Sequence, residues 1–182
     1  MNSIGSIEFR SICKGIEVSN EMIKRNGVDV SYAKSICPGK FLIIFTGDTS
    51  DVEDAVKLGL ELGDKFVVDH FVINRVHDQI VSALKNKYET KDIDGKAVGV
   101  VETNKVCSGL RALDKSLKSG DVNLIKLQIA FAIGGKLVYM ISGSVSSIEH
   151  SVESALEILK PTEVVMTSVI PYPVKEFMDK II

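Results

Sequence analysis

Strand-like and helix-like patterns of apolar residues follow one another in the same order twice along this chain. In the first half, Ser3–Phe9 alternates as a strand does, and the next apolar residues recur at helical spacing until Asn26-Gly27, a pair typical of a helix end. The predicted elements here are strand Ser3–Phe9, helix Lys14–Arg25, strands Val28–Ile36 and Lys40–Thr46, helix Asp51–Leu62, strand Phe66–Ile73 and helix His77–Leu84.

The second half predicts the same order after a polar stretch, Lys85–Lys96, that has no hydrophobic period and reads as a linker. Its elements are strand Ala97–Thr103, helix Ser108–Ser119, strand Asn123–Ala132, strand Lys136–Ser142, helix Ser146–Leu159, strand Glu163–Ile170 and the tail Val174–Ile182. The order β-α-β-β-α-β predicts an α/β fold of the α+β, ferredoxin-like type in each half. We expect two domains, residues 1–90 and 97–182.

The two halves also match residue by residue. Ile4–Glu8 aligns with Val98–Glu102, and the helix lysine Lys24 aligns with Lys118. The pairs Gly39-Lys40 and Gly135-Lys136 correspond, as do Val72-Ile73 and Val169-Ile170. A repeat this long is a duplicated domain, not a solenoid unit. A cyclic assembly of such protomers would therefore be a ring with pseudo-symmetry.

Composition narrows the class of protein. The formal net charge of −2 provides no basic surface for nucleic acid. Apolar runs such as Phe41–Phe45 are far too short to span a bilayer, and the N-terminus lacks the pattern of a signal peptide. The three cysteines show no disulfide-framework spacing, so we expect reduced thiols in a cytoplasmic protein.

No catalytic set is visible in the sequence. Dinucleotide-binding, Walker and nucleophile-elbow motifs are absent, and the three histidines have no metal-ligand spacing. Cys37 could act as a nucleophile, but no general base stands near it in the sequence. We therefore predict a protein that is not an enzyme.

Two glycine-containing loops occupy equivalent positions in the halves, Cys37-Pro38-Gly39-Lys40 and Ile133-Gly134-Gly135-Lys136. One interpretation is a plain hairpin turn, in which glycine supplies a positive φ. The other is that glycines keep the loop narrow, so that several copies can meet around an axis and form a polar pore.

The ordered motifs resemble those of the bacterial microcompartment shell family, in its tandem-domain class. The resemblance rests on Ile4-Gly5-x-Ile7-Glu8, Lys24, the glycine loop, Gly47-Asp48 and Val72-Ile73-x-Arg75-x-His77, and it returns from Val98 to Pro171. It implies a homotrimer that forms a pseudo-hexameric disc and tiles edge to edge with other shell proteins. Such tiles form the shell of a compartment within the cytoplasm that encloses enzymes, without nucleic-acid or membrane partners.

The resemblance also implies roles for particular residues. Both glycine loops would line a central pore for metabolites or electrons, and Lys24, Arg75 and Lys118 would lie at the tile edge, with Tyr172 in the place of Arg75 in the second half. Iron–sulfur members of the class imply a 4Fe–4S cluster on the threefold axis. Its candidate ligand is Cys107, with Cys37 a weaker candidate, although ordinary clusters use four cysteines. The alternative is that these cysteines are small buried apolar residues.

A rival hypothesis comes from another class of protein. Ferredoxin-like repeats also form regulatory modules that bind small molecules at their interfaces, and a fold alone does not fix function.

Overall fold

The computed structural model describes residues 3–130 and 133–182, and these fold into two compact units. The first unit ends at Val76 and the second begins at His77. Each unit contains a four-stranded antiparallel sheet, in the order β2-β3-β1-β4 in the first and β6-β7-β5-β8 in the second. This is the strand order of the ferredoxin-like fold, so the predicted fold class is confirmed.

The first unit contains β1 (Ser3–Phe9), α1 (Ile12–Arg25), β2 (Asp29–Ile36), β3 (Lys40–Gly47), α2 (Thr49–Gly63) and β4 (Val67–Ile73). Helix α1 begins two residues before the predicted start because the Ser11 hydroxyl caps it, accepting a hydrogen bond from the Lys14 N–H at 3.3 Å. It ends at Arg25, where the Asn26 side chain donates to the Met22 carbonyl. The core lies between α1, α2 and one face of the sheet, and includes Ile7 and Phe9.

The second unit contains α3 (Asp78–Leu84), β5 (Ala97–Thr103), α4 (Val106–Ser119), β6 (Val122–Ile129), β7 (Leu137–Gly143), α5 (Val145–Ile158), β8 (Val164–Ile170) and α6 (Lys175–Met178). Helices α4 and α5 pack on one face of the sheet. On α6, Met178 joins a separate apolar cluster with Ile93, Val98, Ile125 and Met140.

Helix α3 packs in the second unit, whereas the sequence placed it in a first domain of residues 1–90. The His77 N–H donates to Asp114 Oδ1 at 2.9 Å, and Gln79 Oε1 accepts from the Leu124 N–H at 2.6 Å. The stretch predicted as a linker also packs in this unit, because the Tyr88 hydroxyl accepts from the Leu127 N–H.

A buried carboxylate ties the start of β8 to α4. Glu163 accepts hydrogen bonds from the Ser108 hydroxyl at 2.8 Å and from the Lys160 N–H at 3.0 Å, and Arg111 lies 3.8 Å away. Burial alone would raise the pKa of Glu163, but these hydrogen bonds and the positive charges of Arg111 and Lys105 outweigh it, so the pKa lies below its ordinary value.

Candidate functional site

The first glycine loop is a tight connection between two long strands. Ile36 on β2 pairs with Lys40 on β3, which leaves Cys37, Pro38 and Gly39 to make the turn. The Cys37–Pro38 peptide is cis, and Gly39 has a φ of 68°, a value that favours glycine. The Cys37 side chain is exposed at this turn.

The second glycine loop is longer than the first. Strand β6 ends at Ile129 and β7 begins at Leu137, so the predicted strand Asn123–Ala132 stops earlier than expected. Ala130 leaves the strand with a φ of 54°, and its N–H donates to the Lys136 carbonyl at 2.8 Å. Gly134 and Gly135 both have positive φ, of 68° and 79°. The last two residues of the predicted strand, Phe131 and Ala132, lie outside the described residues.

The lysine that closes each loop forms an ion pair with a glutamate of the central strand. Lys40 Nζ donates to Glu8 Oε1, and Lys136 Nζ donates to Glu102 Oε1 at 2.8 Å. The two pairs occupy equivalent positions in the repeat. Each lysine is thus held by its own unit, and its charge is balanced at the base of the loop.

The two ion pairs have different surroundings. The Glu8 side chain is fully buried and Lys40 is 17% exposed, whereas Glu102 and Lys136 are 30% and 39% exposed. Glu8 also faces Asp69 across the sheet, and each of these carboxylates has one buried oxygen without a hydrogen-bond partner. In the second unit, Met166 faces Glu102 instead.

The glutamates of these ion pairs were not among the residues singled out from the sequence. Their signal was present in the repeat, because Glu8 aligns with Glu102 just as Lys40 aligns with Lys136. When a glutamate and a lysine are both repeated at equivalent positions, the repeat indicates that the ion pair between them is repeated as well.

The residues predicted to lie at the tile edge are not in the glycine loops. Two of them are on helices, and the third is in the segment after β4. Lys24, near the end of α1, pairs with Glu21 at 3.2 Å, and Lys118 in the last turn of α4 pairs with Asp114 at 2.5 Å. Arg75 follows β4 and has a positive φ of 55°. The structure describes one chain, so the role of these residues at a tile edge remains a prediction.

The cysteines differ in accessibility. Cys107 is fully buried in α4, whereas Cys13 and Cys37 are exposed. Within residues 3–130 and 133–182, no three His, Cys, Asp or Glu side chains of the chain come together as a metal-binding group. A cluster bound through cysteine would therefore need thiolates from several protomers.

An open groove of about 300 Å³ lies in the second unit, lined in part by Asp94, Lys96, Tyr172 and Lys175. Lys175 already pairs with Asp179 at 3.4 Å and with Asp94 at 3.8 Å. Both carboxylates raise the pKa of Lys175, and Asp179 has the larger effect. The charge of Lys175 is therefore balanced within the second unit.

Two tandem α+β domains with paired glycine loops match one family. The BMC domain model matches residues 3–76 and again residues 97–173. The chain therefore belongs to the BMC-domain family of bacterial microcompartment shell proteins, and it carries two tandem copies of the domain. In the part of the chain that the structure describes, no helix is long and apolar enough to cross a membrane.

Individual relatives agree with this assignment. The chain is 35% identical over 173 residues to the bacterial microcompartment shell protein PduT of Citrobacter freundii, covering 94% of this chain and 92% of that one. A crystal structure of a microcompartment protein from Desulfitobacterium hafniense matches with a TM-score of 0.90 and 34% identity, covering 98% and 99% of the two chains. The carboxysome shell protein CcmK2 of Synechocystis is 26% identical over 96 residues, which is 50% of this chain and 92% of that one.

Proposed function

We propose that this protein is a structural shell tile that forms a homotrimer with the outline of a hexamer and a central pore. Each chain supplies two domains, and three chains supply six around one axis. The tiles join other shell proteins at their edges and enclose enzymes, and the protein itself has no catalytic role. The relatives that share most of its length are named as shell or microcompartment proteins, which supports this role.

A difference between two equivalent helices carries the proposal. On α1, Ile12, Ile16 and Ile23 are 36%, 53% and 41% exposed. We call these three residues the α1 stripe. Their counterparts on α4, Val106, Leu110 and Leu117, are only 0%, 0% and 5% exposed. The repeat thus has a surface that is covered in one copy and open in the other.

Covering the α1 stripe would stabilise an oligomer. Fully burying one isoleucine contributes about 1.5–3 kcal/mol, so burying the exposed third to half of three contributes about 2–4 kcal/mol per interface. A second copy of the chain is the natural partner, because a cyclic assembly repeats the same contact at every interface.

The glycine loops are the parts of the chain suited to line the pore. Both follow an edge strand, have glycines with positive φ, and begin or end at a lysine whose charge is balanced by a glutamate. The pore lining would then include backbone groups together with the side chains of Cys37, Pro38 and Ile133. These groups suit the passage of small polar metabolites.

For an electron-conducting version of the pore, the structure favours Cys37 over Cys107 as the ligand. Cys37 is exposed in the first glycine loop, whereas Cys107 is fully buried within a helix. One Cys37 from each protomer would supply three thiolates to a 4Fe–4S cluster, and the cluster would supply one-electron transfer.

Native mass spectrometry of the anaerobically purified protein tests both proposals. A trimer supports the tile, and a trimer with the extra mass of one cluster supports the electron-conducting pore. We expect the cluster to be lost in Cys37→Ser and kept in Cys107→Ser. A monomer would contradict the tile, and an iron-free trimer would contradict the cluster.

A substitution in the α1 stripe tests the observation that carries the proposal. We expect Ile16→Asp to disperse the trimer into folded monomers, because it places a charge where an apolar contact is proposed. The matched control is Lys57→Asp, an exposed position on α2, which should remain trimeric. Equal behaviour of the two variants would argue against the stripe as an interface.

A further inference from the structure

A short segment follows β4, and an equivalent segment follows β8. Residues 74–77 follow β4, and residues 171–174 follow β8; as Val72 corresponds to Val169, His77 corresponds to Val174. Both residues cap a short helix and have similar backbone angles, φ −64° and ψ 132° for His77 and φ −75° and ψ 111° for Val174. The last residues of the two segments are therefore alike in conformation and in sequence position, whereas Arg75 has a positive φ that its counterpart Tyr172 does not have.

The last residue of the first segment, His77, is hydrogen-bonded to α4 within the second unit. The His77 N–H donates to Asp114 Oδ1 at 2.9 Å, and Asp114 is buried. Asp114 lies between Leu110 and Leu117, which are the counterparts of Ile16 and Ile23 in the α1 stripe. This hydrogen bond places the backbone of His77 beside this face of α4.

The second segment and the α1 stripe are the exposed counterparts of that contact. Val174 is 68% exposed, whereas its counterpart His77 is half-buried. Asn20 on α1 is the counterpart of Asp114, is exposed, and carries an amide oxygen where Asp114 carries a carboxylate oxygen. The chain therefore has an exposed equivalent of the donor residue, Val174, and an exposed equivalent of the acceptor residue, Asn20.

We infer that residues 171–174 of one protomer seat on the α1 stripe of the next protomer, with the Val174 N–H donating to Asn20 Oδ1. The inference rests on the proposed homotrimer and identifies the surfaces that join it. The segment and the stripe are different surfaces of one chain, so the contact is head to tail, and such contacts close into a ring when the rotation allows. Three identical contacts would close the trimer.

Disulfide trapping tests the proximity directly. In a Cys13→Ser, Cys37→Ser background that native mass spectrometry shows to be trimeric, we combine Asn20→Cys with Val174→Cys and oxidise. We expect covalent dimers and trimers on a non-reducing gel, because a disulfide requires the two Cα atoms to lie within about 7 Å. Each single substitution, and the pair Lys57→Cys with Val174→Cys, should give no covalent trimer. The pair His77→Cys with Asp114→Cys is the matched intrachain control.

A second measurement tests the hydrogen bond itself. Val174→Pro removes the donor at a φ that proline accepts, and Asn20→Ala removes the acceptor. We expect each to weaken every protomer–protomer contact about 3- to 10-fold, which is the range of one net hydrogen bond. The double variant should associate as tightly as either single variant, because each of the two substitutions removes the same hydrogen bond. Asn20→Asp keeps an acceptor and should remain trimeric.

The outcomes separate this inference from the proposed function. A chain that is monomeric in native mass spectrometry contradicts the tile and this contact together. A trimer that gives no Asn20–Val174 cross-link and whose two variants weaken association additively, or not at all, overturns the contact alone. Covalent trimers with non-additive variants support it.

Discussion

Removing the ammonium group of Lys40 provides a sharp test of the energetics of the first glycine loop. Lys40→Met keeps much of the apolar stem and leaves the Glu8 carboxylate fully buried, opposite Asp69 and without its cation. Breaking a buried ion pair by removing one partner costs about 3–5 kcal/mol. We therefore expect the free energy of unfolding to fall by about that amount.

The second unit provides the matched control. Lys136→Met breaks the equivalent pair, but Glu102 is 30% exposed and faces Met166 instead of a second carboxylate. Water can solvate the remaining charge, so the loss should be about 0–1 kcal/mol, as for a surface ion pair. At about 2–4 °C per kcal/mol for a chain of this size, Lys40→Met lowers the Tm by about 6–20 °C and Lys136→Met by at most about 4 °C.

Far-UV circular dichroism at a fixed protomer concentration measures both variants, because the chain has no Trp for fluorescence. The double variant Glu8→Gln with Lys40→Met removes the uncompensated charge and should recover part of the loss. Equal, small losses in Lys40→Met and Lys136→Met would refute the reasoning that burial makes the two pairs unequal.

Three further predictions concern the cores and can be measured by urea unfolding. Glu163→Gln should lower the stability at neutral pH by about 1–3 kcal/mol. Because the pKa of Glu163 is depressed in the folded protein, this advantage of the wild type should begin to decline as the pH falls below about 4.5, and an undiminished difference at pH 3 would contradict the prediction. Gly59→Ala should cost about 1–3 kcal/mol, because the added Cβ would overlap the Ile7 side chain; an unchanged midpoint would contradict this. Burial raises the pKa of Tyr139, whose hydroxyl lies 2.8 Å from Ser116 Oγ, so Tyr139→Phe should reduce the loss of stability above about pH 10.

The order and type of the strands and main helices could be predicted from the sequence, because each depends on local periodicity. Helix starts were less accurate: α4 begins at Val106 rather than Ser108, since Lys105 caps it without a side-chain hydrogen bond to mark the position. Strand β6 ends before Ala130, whose positive φ is not encoded in a hydrophobic pattern. Local signals therefore predicted the elements, but not all their ends.

Contacts between distant residues were harder to predict from the sequence. Lys40 and Lys136 were singled out as loop residues, but their partners Glu8 and Glu102 depend on the strand register. The position of α3 was also missed, because its amphipathic pattern shows that one face is covered without showing by what. Its partners, including Asp114, lie in a later part of the chain.

The outer face of α1 can be interpreted only by comparing the two copies of the repeat. Isoleucines at positions 12, 16 and 23, added to the core-facing Val18 and Met22, give α1 the pattern of a helix covered on both sides. A monomeric protein would gain nothing from that second apolar face, which would favour aggregation. Helix α4 has the same pattern of apolar residues, and its second apolar face is covered. The two helices therefore differ in exposure because of what surrounds each of them, and not because of their residue types. In a duplicated protein, the covered face of one helix therefore indicates that the exposed face of its counterpart is also a contact surface.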